Sequence, residues 1–153
     1  MKAGAWSRAE DSRAGAARDG QMTSLKADKA ERDATLDNLL GGLTSLRGVT
    51  AAAIVDGDGF PIRVRHDFEI DQDALGVAVQ IVLGAARQAA EKVAQGDTDL
   101  VLSENRQGLV LLAPLAKGLV LVVMTDRSAM LGAVRFELKE TIPQVNQLFD
   151  QKD

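Results

Sequence analysis

The sequence has no cysteine and only one histidine, His66. The first absence removes disulfides, thiolate metal sites and cysteine nucleophiles together. With a single imidazole left, ordinary zinc coordination is nearly excluded. Aromatic residues are scarce: one tryptophan, four phenylalanines and no tyrosine. The core must therefore be built from Val, Leu, Ile and Ala. With 46% hydrophobic residues among 153, there is enough of them for one domain. No apolar run reaches the roughly 18 residues of a membrane span. The N-terminus lacks the apolar stretch of a signal peptide, so the expected compartment is the cytoplasm. A strong charge of one sign is also missing, since the formal net charge is −4. Residues 1–30 hold six basic and four acidic side chains, which leaves twelve and eighteen for the rest. An acidic folded part argues against nucleic acid as the main partner.

Catalytic constellations are lacking as well. His66 stands between Arg65 and Asp67, and no serine or threonine shows triad or elbow spacing around it. Asp56 and Asp58 fall in a turn, and Asp71 and Asp73 precede a helix; both pairs have ordinary structural uses. A calcium loop needs more oxygen ligands at fixed offsets than Asp56, Asp58 and Glu69 supply. Gly57-Asp58-Gly59 is not followed by the G-K-[ST] of a phosphate loop. No catalytic, metal or cofactor site is predicted. The chain reads as a binding or regulatory module without an active site of its own. The basic cluster Arg63, Arg65 and His66 either meets an acidic partner or forms the solvated face of an edge strand, where charge protects against aggregation.

What the sequence does have is the stretch Ala74–Ala86, thirteen residues with one polar side chain, Gln80. Asp71 and Asp73 precede it as helix-start carboxylates, and Gly96 offers a stop. The spacing predicts a helix over 72–95. At about 100° per residue it carries two apolar stripes. Leu75, Val79, Val82, Ala86, Ala90 and Val93 form one; Ala74, Val77, Ile81 and Ala85 form the other. Asp73, Gln80, Arg87 and Glu91 make the polar arc. A surface helix needs one apolar stripe, so a second predicts cover on a second side.

Residues 1–29 have almost no large apolar side chains and are predicted to be a disordered tail, with the domain at 30–153. Trp6 is either a passenger in that tail or a short docking motif, and Met22 is a possible alternative start. Leu36, Leu39, Leu40, Leu43 and Leu46 predict an amphipathic helix over 30–46. Gly41 and Gly42 inside it require a kink or a close approach. Val49–Asp56 and Phe60–Arg65 flank Gly57-Asp58-Gly59 as a hairpin, and Pro61 places the second strand at an edge. After the central helix, Asp99–Ser103 is a short strand and Glu104–Gly108 a loop. Leu109–Leu115 and Leu119–Thr125 are continuously apolar, which predicts burial on both faces. A last helix starts at Ser128 or Ala129 with Leu131, Val134, Leu138, Ile142, Val145 and Phe149 inward, and Pro143 is expected to kink it or start a new turn. The order is α-β-β-α-β-β-β-α, with strands 60–65 and 99–103 as the two edges.

This ordered set resembles the Roadblock/dynein-light-chain family, and within it the bacterial MglB-like regulators of Ras-like GTPases. The residues that carry the resemblance begin with Leu39-Leu40, Gly48-Val49, Ala52-Ala53-Ile54-Val55-Asp56 and Asp58-Gly59. They continue through the alanine-rich central helix and Gly108-Leu109-Val110-Leu111-Leu112. Leu121-Val122-Val123-Met124, Asp126 and then Leu131-Gly132-Ala133-Val134-Arg135, similar to an L-G-x-x-R helix start, complete it. Residues 1–30 and Pro143 depart from the pattern.

The resemblance implies an αβα sandwich with a five-stranded antiparallel sheet in order 2-1-5-4-3. Helices 1 and 3 lie on one face and helix 2 on the other. It also implies a homodimer in which strand 99–103 and the central helix pair across a two-fold axis. Ala74, Val77, Ile81, Ala85, Leu100, Val101 and Leu102 are then the interface residues. Gln80, Arg87, Gln88, Glu91 and Lys92 would border a groove for a Ras-like small GTPase. Such regulators accelerate hydrolysis by remodelling the GTPase's switch regions without supplying a catalytic residue. An arginine from Arg63, Arg65 or Arg106 acting in trans is the less favoured route. The alternative is a non-catalytic dimeric scaffold or adaptor of a signalling or polarity complex. A ligand-sensing module of similar shape is a weaker third, since the core offers few polar groups to line a pocket.

Overall fold

The computed structural model describes residues 3–66 and 69–150. Its elements are α1 (Ala3–Thr44), β1 (Val49–Val55), β2 (Pro61–His66), α2 (Gln72–Lys92), β3 (Val101–Asn105), β4 (Gly108–Pro114), β5 (Val120–Thr125) and α3 (Leu131–Asp150). The sheet is antiparallel throughout, in order β2-β1-β5-β4-β3. The chain divides into two units, one ending at Thr35 and one beginning at Leu36.

In the first unit the helical path runs back to Ala3, through the segment whose composition predicts disorder. Alanine, the strongest helix former, is its commonest residue and proline is absent. Residues 20–31 are all exposed, so this stretch has propensity without an apolar face to bury. Trp6 lies outside the residues whose side chains are described.

The second unit holds the sandwich. Continuous apolar strands split their side chains between two cores by the period of two. Ala52, Ile54, Leu111, Ala113, Leu121 and Val123 point to one face, where they meet Leu36, Leu40 and Leu43 of α1 and Val134, Leu138 and Val145 of α3. Ala53, Val55, Leu112, Val120 and Val122 point to the other, where they meet Val79 and Leu83 of α2. The predicted layer order and both predicted edges are therefore the observed ones.

Several boundaries differ. β3 begins two residues later than expected and reaches Asn105, because its register with β4 runs from Val101↔Leu112 to Asn105↔Gly108. Ser103, Glu104 and Asn105 are exposed and polar, so no apolar alternation marked them as strand. Gly108 follows the turn at φ 153°, and a Cβ there would stand 1.8 Å from the carbonyl oxygen of Thr125 at the end of β5, so glycine is required where β4 starts. α3 begins at Leu131 because Asp126 holds residue 128 in a turn: its Oδ1 accepts from Ser128 N at 2.7 Å and Oγ at 2.6 Å. Pro143 sits inside α3, on its exposed side, and the helix runs on through it to Asp150.

Two side chains of the basic cluster, Arg63 and Arg65, reach Asp37 of α1. The Arg63 guanidinium donates to both carboxylate oxygens of Asp37, from Nε at 3.1 Å and through an ion pair from Nη2. A Cβ at Gly41 would lie 3.1 Å from Arg65 Nη1. Gly41 thus admits a guanidinium against the helix, which is the close approach its position required.

Candidate interaction surface

Asp71 caps α2, its Oδ1 accepting from Ala74 N at 3.1 Å, with Asp73 in the first turn and Lys92 in the last. These charges complement the helix dipole at both ends. The helix stops at Lys92, with Val93 as its cap, and the turn continues through Ala94 at φ 56° and Gly96 at φ 82°. The expected extension to Gln95 fails because Ala94 already takes the left-handed conformation that ends helices.

Two contacts seat the N-terminal half of α2 on the β1–β2 turn. A Cβ on Gly76 would lie 1.8 Å from the carbonyl oxygen of Gly59, so only glycine fits there. Gln80 Nε2 donates to the carbonyl of Asp56 at 2.7 Å. That carbonyl also accepts from Gly59 N at 3.1 Å, so both its lone pairs are used. Asp56 Oδ1 accepts from Asp58 N and Phe60 N, each at 2.9 Å. Gln80 was placed by sequence in the polar arc open to a partner; it is half-buried and committed to the turn instead. An amide that reaches back to a carbonyl 24 residues away has no signature in local pattern.

The sheet-facing side of α2 is also rotated from the predicted stripe. Gly76, Val79 and Leu83 are the buried residues, with Leu75, Ala86 and Ala90 half-buried. Val82 and Val93, expected inward, are 44% and 63% exposed. Leu83, which the stripe omitted, is fully buried. The Gly76–Gly59 contact draws that side of the helix down and turns Val82 out. The signal was present in the spacing Gly76, Val79, Leu83, but a glycine does not score as apolar.

The second predicted stripe is open. Ala74, Val77, Ile81 and Ala85 are exposed, Ile81 at 67%. Val82, Ala89 and Val93 widen this apolar arc. Its C-terminal half borders an open groove of about 660 Å³, walled by Ala86, Ala89, Ala90 and Val93 on one side and Leu100, Val101 and Leu102 on the other. β3 pairs with β4 alone among the described strands, so its outer backbone edge is unpaired, and Leu102 is 41% exposed. Leu100, half-buried, precedes the strand itself. An apolar arc joined through a groove to an open strand edge is the surface type that self-association covers.

Of the polar residues, Arg87 and Glu91 line a second groove of about 650 Å³ with Gly96, Asp97, Thr98 and Pro114. Gln88 and Lys92 are exposed beside the apolar arc. Arg106 is exposed in the β3–β4 turn. His66 ends β2 and is exposed. No group of three or more His, Asp or Glu comes together as a metal site among the described residues. No helix among them is long and apolar enough to cross a membrane.

Comparison with known proteins agrees with this architecture. The model of the Roadblock/LC7 domain matches residues 35–125. An uncharacterized protein of Methanocaldococcus jannaschii is 25% identical over 114 residues, 74% of this chain and 99% of its own length. Among solved structures, Myxococcus xanthus MglB superposes with a TM-score of 0.72 at 19% identity, over 76% of this chain and 96% of that one. The gliding protein MglB from Thermus thermophilus gives 0.71 at 17%, over 79% and 90%.

Proposed function

The chain belongs to the Roadblock/LC7 family, and from that membership we propose that it is a homodimeric regulator of a Ras-like small GTPase. The carrying observation is the outward apolar arc of α2 that runs through the groove into the open edge of β3. Two-fold symmetry makes such a patch self-complementary. Pairing β3 with its copy satisfies the open backbone edge, and the small residues Ala85 and Ala89 allow two helices to approach closely. The likeness to MglB structures supports a regulator of this kind.

As a regulator it has no active site of its own. It accelerates hydrolysis by holding the GTPase's own groups in productive positions, a source of several kcal/mol of barrier lowering. Arg63 and Arg65 support this route over an arginine supplied in trans, because both are engaged against α1.

The test is single-turnover GTP hydrolysis by the Ras-like GTPase of the same genome, with and without this protein at saturating concentration. A rate increase of about tenfold or more is expected. Binding that ignores nucleotide state and leaves the rate unchanged identifies a scaffold instead.

A further inference from the structure

We propose that the outer face of α3 pairs two copies of this chain, antiparallel across a two-fold axis, with Phe136 of each seated over Gly132 of the other. This second self-association face lies on the opposite side of the sheet from α2 and needs no GTPase partner.

Phe136 is 65% exposed. Val134, Leu138, Thr141 and Val145 are buried and mark the inward side of α3. At about 100° per residue, Phe136 falls almost diametrically opposite them. Gly132, one turn earlier, and Pro143, two turns later, fall within about 40° of Phe136 on the same stripe, and both are exposed. Nothing stands within 4 Å of a Cβ built on Gly132, so the helix carries a dent one turn from an outward aromatic. A face that holds both a knob and a hole fits its own copy. A two-fold axis level with Val134 brings each Phe136 to the level of the other copy's Gly132.

Charge is compatible with a second copy and selects no charged partner. Lys139 and Glu140 are exposed on opposite flanks of the stripe. Arg135 lies further round on the Lys139 side and projects sideways. Glu137 is turned toward α1, 3.7 Å from a Cβ built on Gly42. Side by side, the opposite signs of Lys139 and Glu140 leave the face without a net field. In the antiparallel pair the two Lys139, and likewise the two Glu140, stand about 15 Å or more apart along the helix. That exceeds the screening length of about 8 Å.

Position separates this face from the seam. α3 packs with α1 on one side of the sheet, and α2 packs on the other. A dimer closed through α2 and β3 therefore leaves both of its α3 faces open, and pairing there joins dimers to one another. Three helical turns against three cover less than the roughly 1,200 Å² of a stable interface. The pairing is accordingly weak, with a dissociation constant of about 100 µM, and the seam dimer prevails at micromolar concentration.

Light scattering of the full chain from about 5 to about 500 µM brackets this constant, and the wild-type mass is expected to climb above that of the seam dimer. Phe136→Asp should weaken the climb at least about 100-fold and leave the dimer intact. Gly132→Leu fills the hole and should weaken it at least about tenfold, although it adds apolar surface. Ile81→Glu, with the seam broken, should still pair through α3 at the top of the range. The chain has no cysteine, so single cysteines report orientation. A short bis-maleimide should link Ala133→Cys to its copy and leave Pro143→Cys unlinked, since antiparallel pairing holds the two residues 143 about 27 Å apart. A wild-type mass that stays constant over the range overturns the pairing. So does a Gly132→Leu chain that associates more strongly, which marks plain stickiness, or a Pro143→Cys chain that links in place of Ala133→Cys. A Phe136→Asp chain with wild-type mass that loses the GTPase assigns the face to that protein and overturns the pairing as well.

Discussion

The carbonyl oxygen of Gly59 occupies the space in which a Cβ on Gly76 would stand, 1.8 Å from it. Gly59 itself has φ 88°, so turn and helix meet backbone to backbone with glycine on both sides. The contact sets the rotation of α2, and with it which side chains face the sheet and which face out.

Gly76→Ala is therefore expected to be severe. The obstructing atom is backbone, so neither partner can swing aside, and the helix must lift or the turn unfold. The cost is about 3 kcal/mol or more, at the upper end of overpacking. Urea unfolding measures it. Gly84→Ala serves as the control, because nothing lies within 4 Å of a Cβ there; it should be neutral or stabilising by up to about 1 kcal/mol. Equal effects of the two substitutions would rule out the latch.

The self-association seam makes a graded prediction along α2. Ile81→Glu and Val93→Glu each place a carboxylate where the partner copy packs. Each should weaken the dimer about a hundredfold or more and halve the mass seen by light scattering at micromolar concentration. Ala74→Glu, at the N-terminal end of the same exposed arc, should weaken the dimer by less. A dimer that survives Val93→Glu and breaks with Ala74→Glu would place the seam at the other end of the helix.

The layer order was legible because it rests on patterns that side chains impose locally. The uninterrupted run Val120–Val123 reports two covered faces, and Pro61 reports an edge. What stayed hidden depends on contacts distant in sequence. Gln80 looks like any polar residue on a helix until Asp56 is placed beneath it. Leu83 replaces Val82 in the core because of a glycine contact that hydrophobic periodicity cannot register. Arg63 reads as a solvated charge until α1 brings Asp37 to it. The open stripe was visible in sequence as Ala74, Val77, Ile81 and Ala85, but its extension through Val82, Ala89 and Val93 was not.

Asp126 supplies a pH test of the α3 start. Hydrogen bonds from the Ser128 hydroxyl and the Ser128 amide, with a smaller contribution from Arg47, hold its pKa below the ordinary 3.8, against a small opposing effect of burial. The folded state thus releases this proton more readily than the unfolded chain. The stabilisation is complete above the unfolded value and is lost as the pH falls through the folded one. Asp126→Asn keeps an acceptor oxygen but cannot titrate. The urea midpoint of wild type should exceed that of the variant at neutral pH, and the gap should close below about pH 3.8. A gap that persists unchanged in acid would show that the carboxylate charge contributes nothing there.

The catalytic division of labour can be tested at Arg106. Among the three arginines that sequence offered as fingers, Arg63 and Arg65 are engaged against α1, and Arg106 is exposed in the β3–β4 turn. An arginine that reaches a transferring phosphoryl group contributes about 10³- to 10⁵-fold to the rate, so its removal cannot be missed. Arg106→Ala is expected to leave the single-turnover rate of the GTPase within about twofold of that with wild type. A collapse of the saturated rate in Arg106→Ala, with binding retained, would make this protein the donor of the catalytic charge.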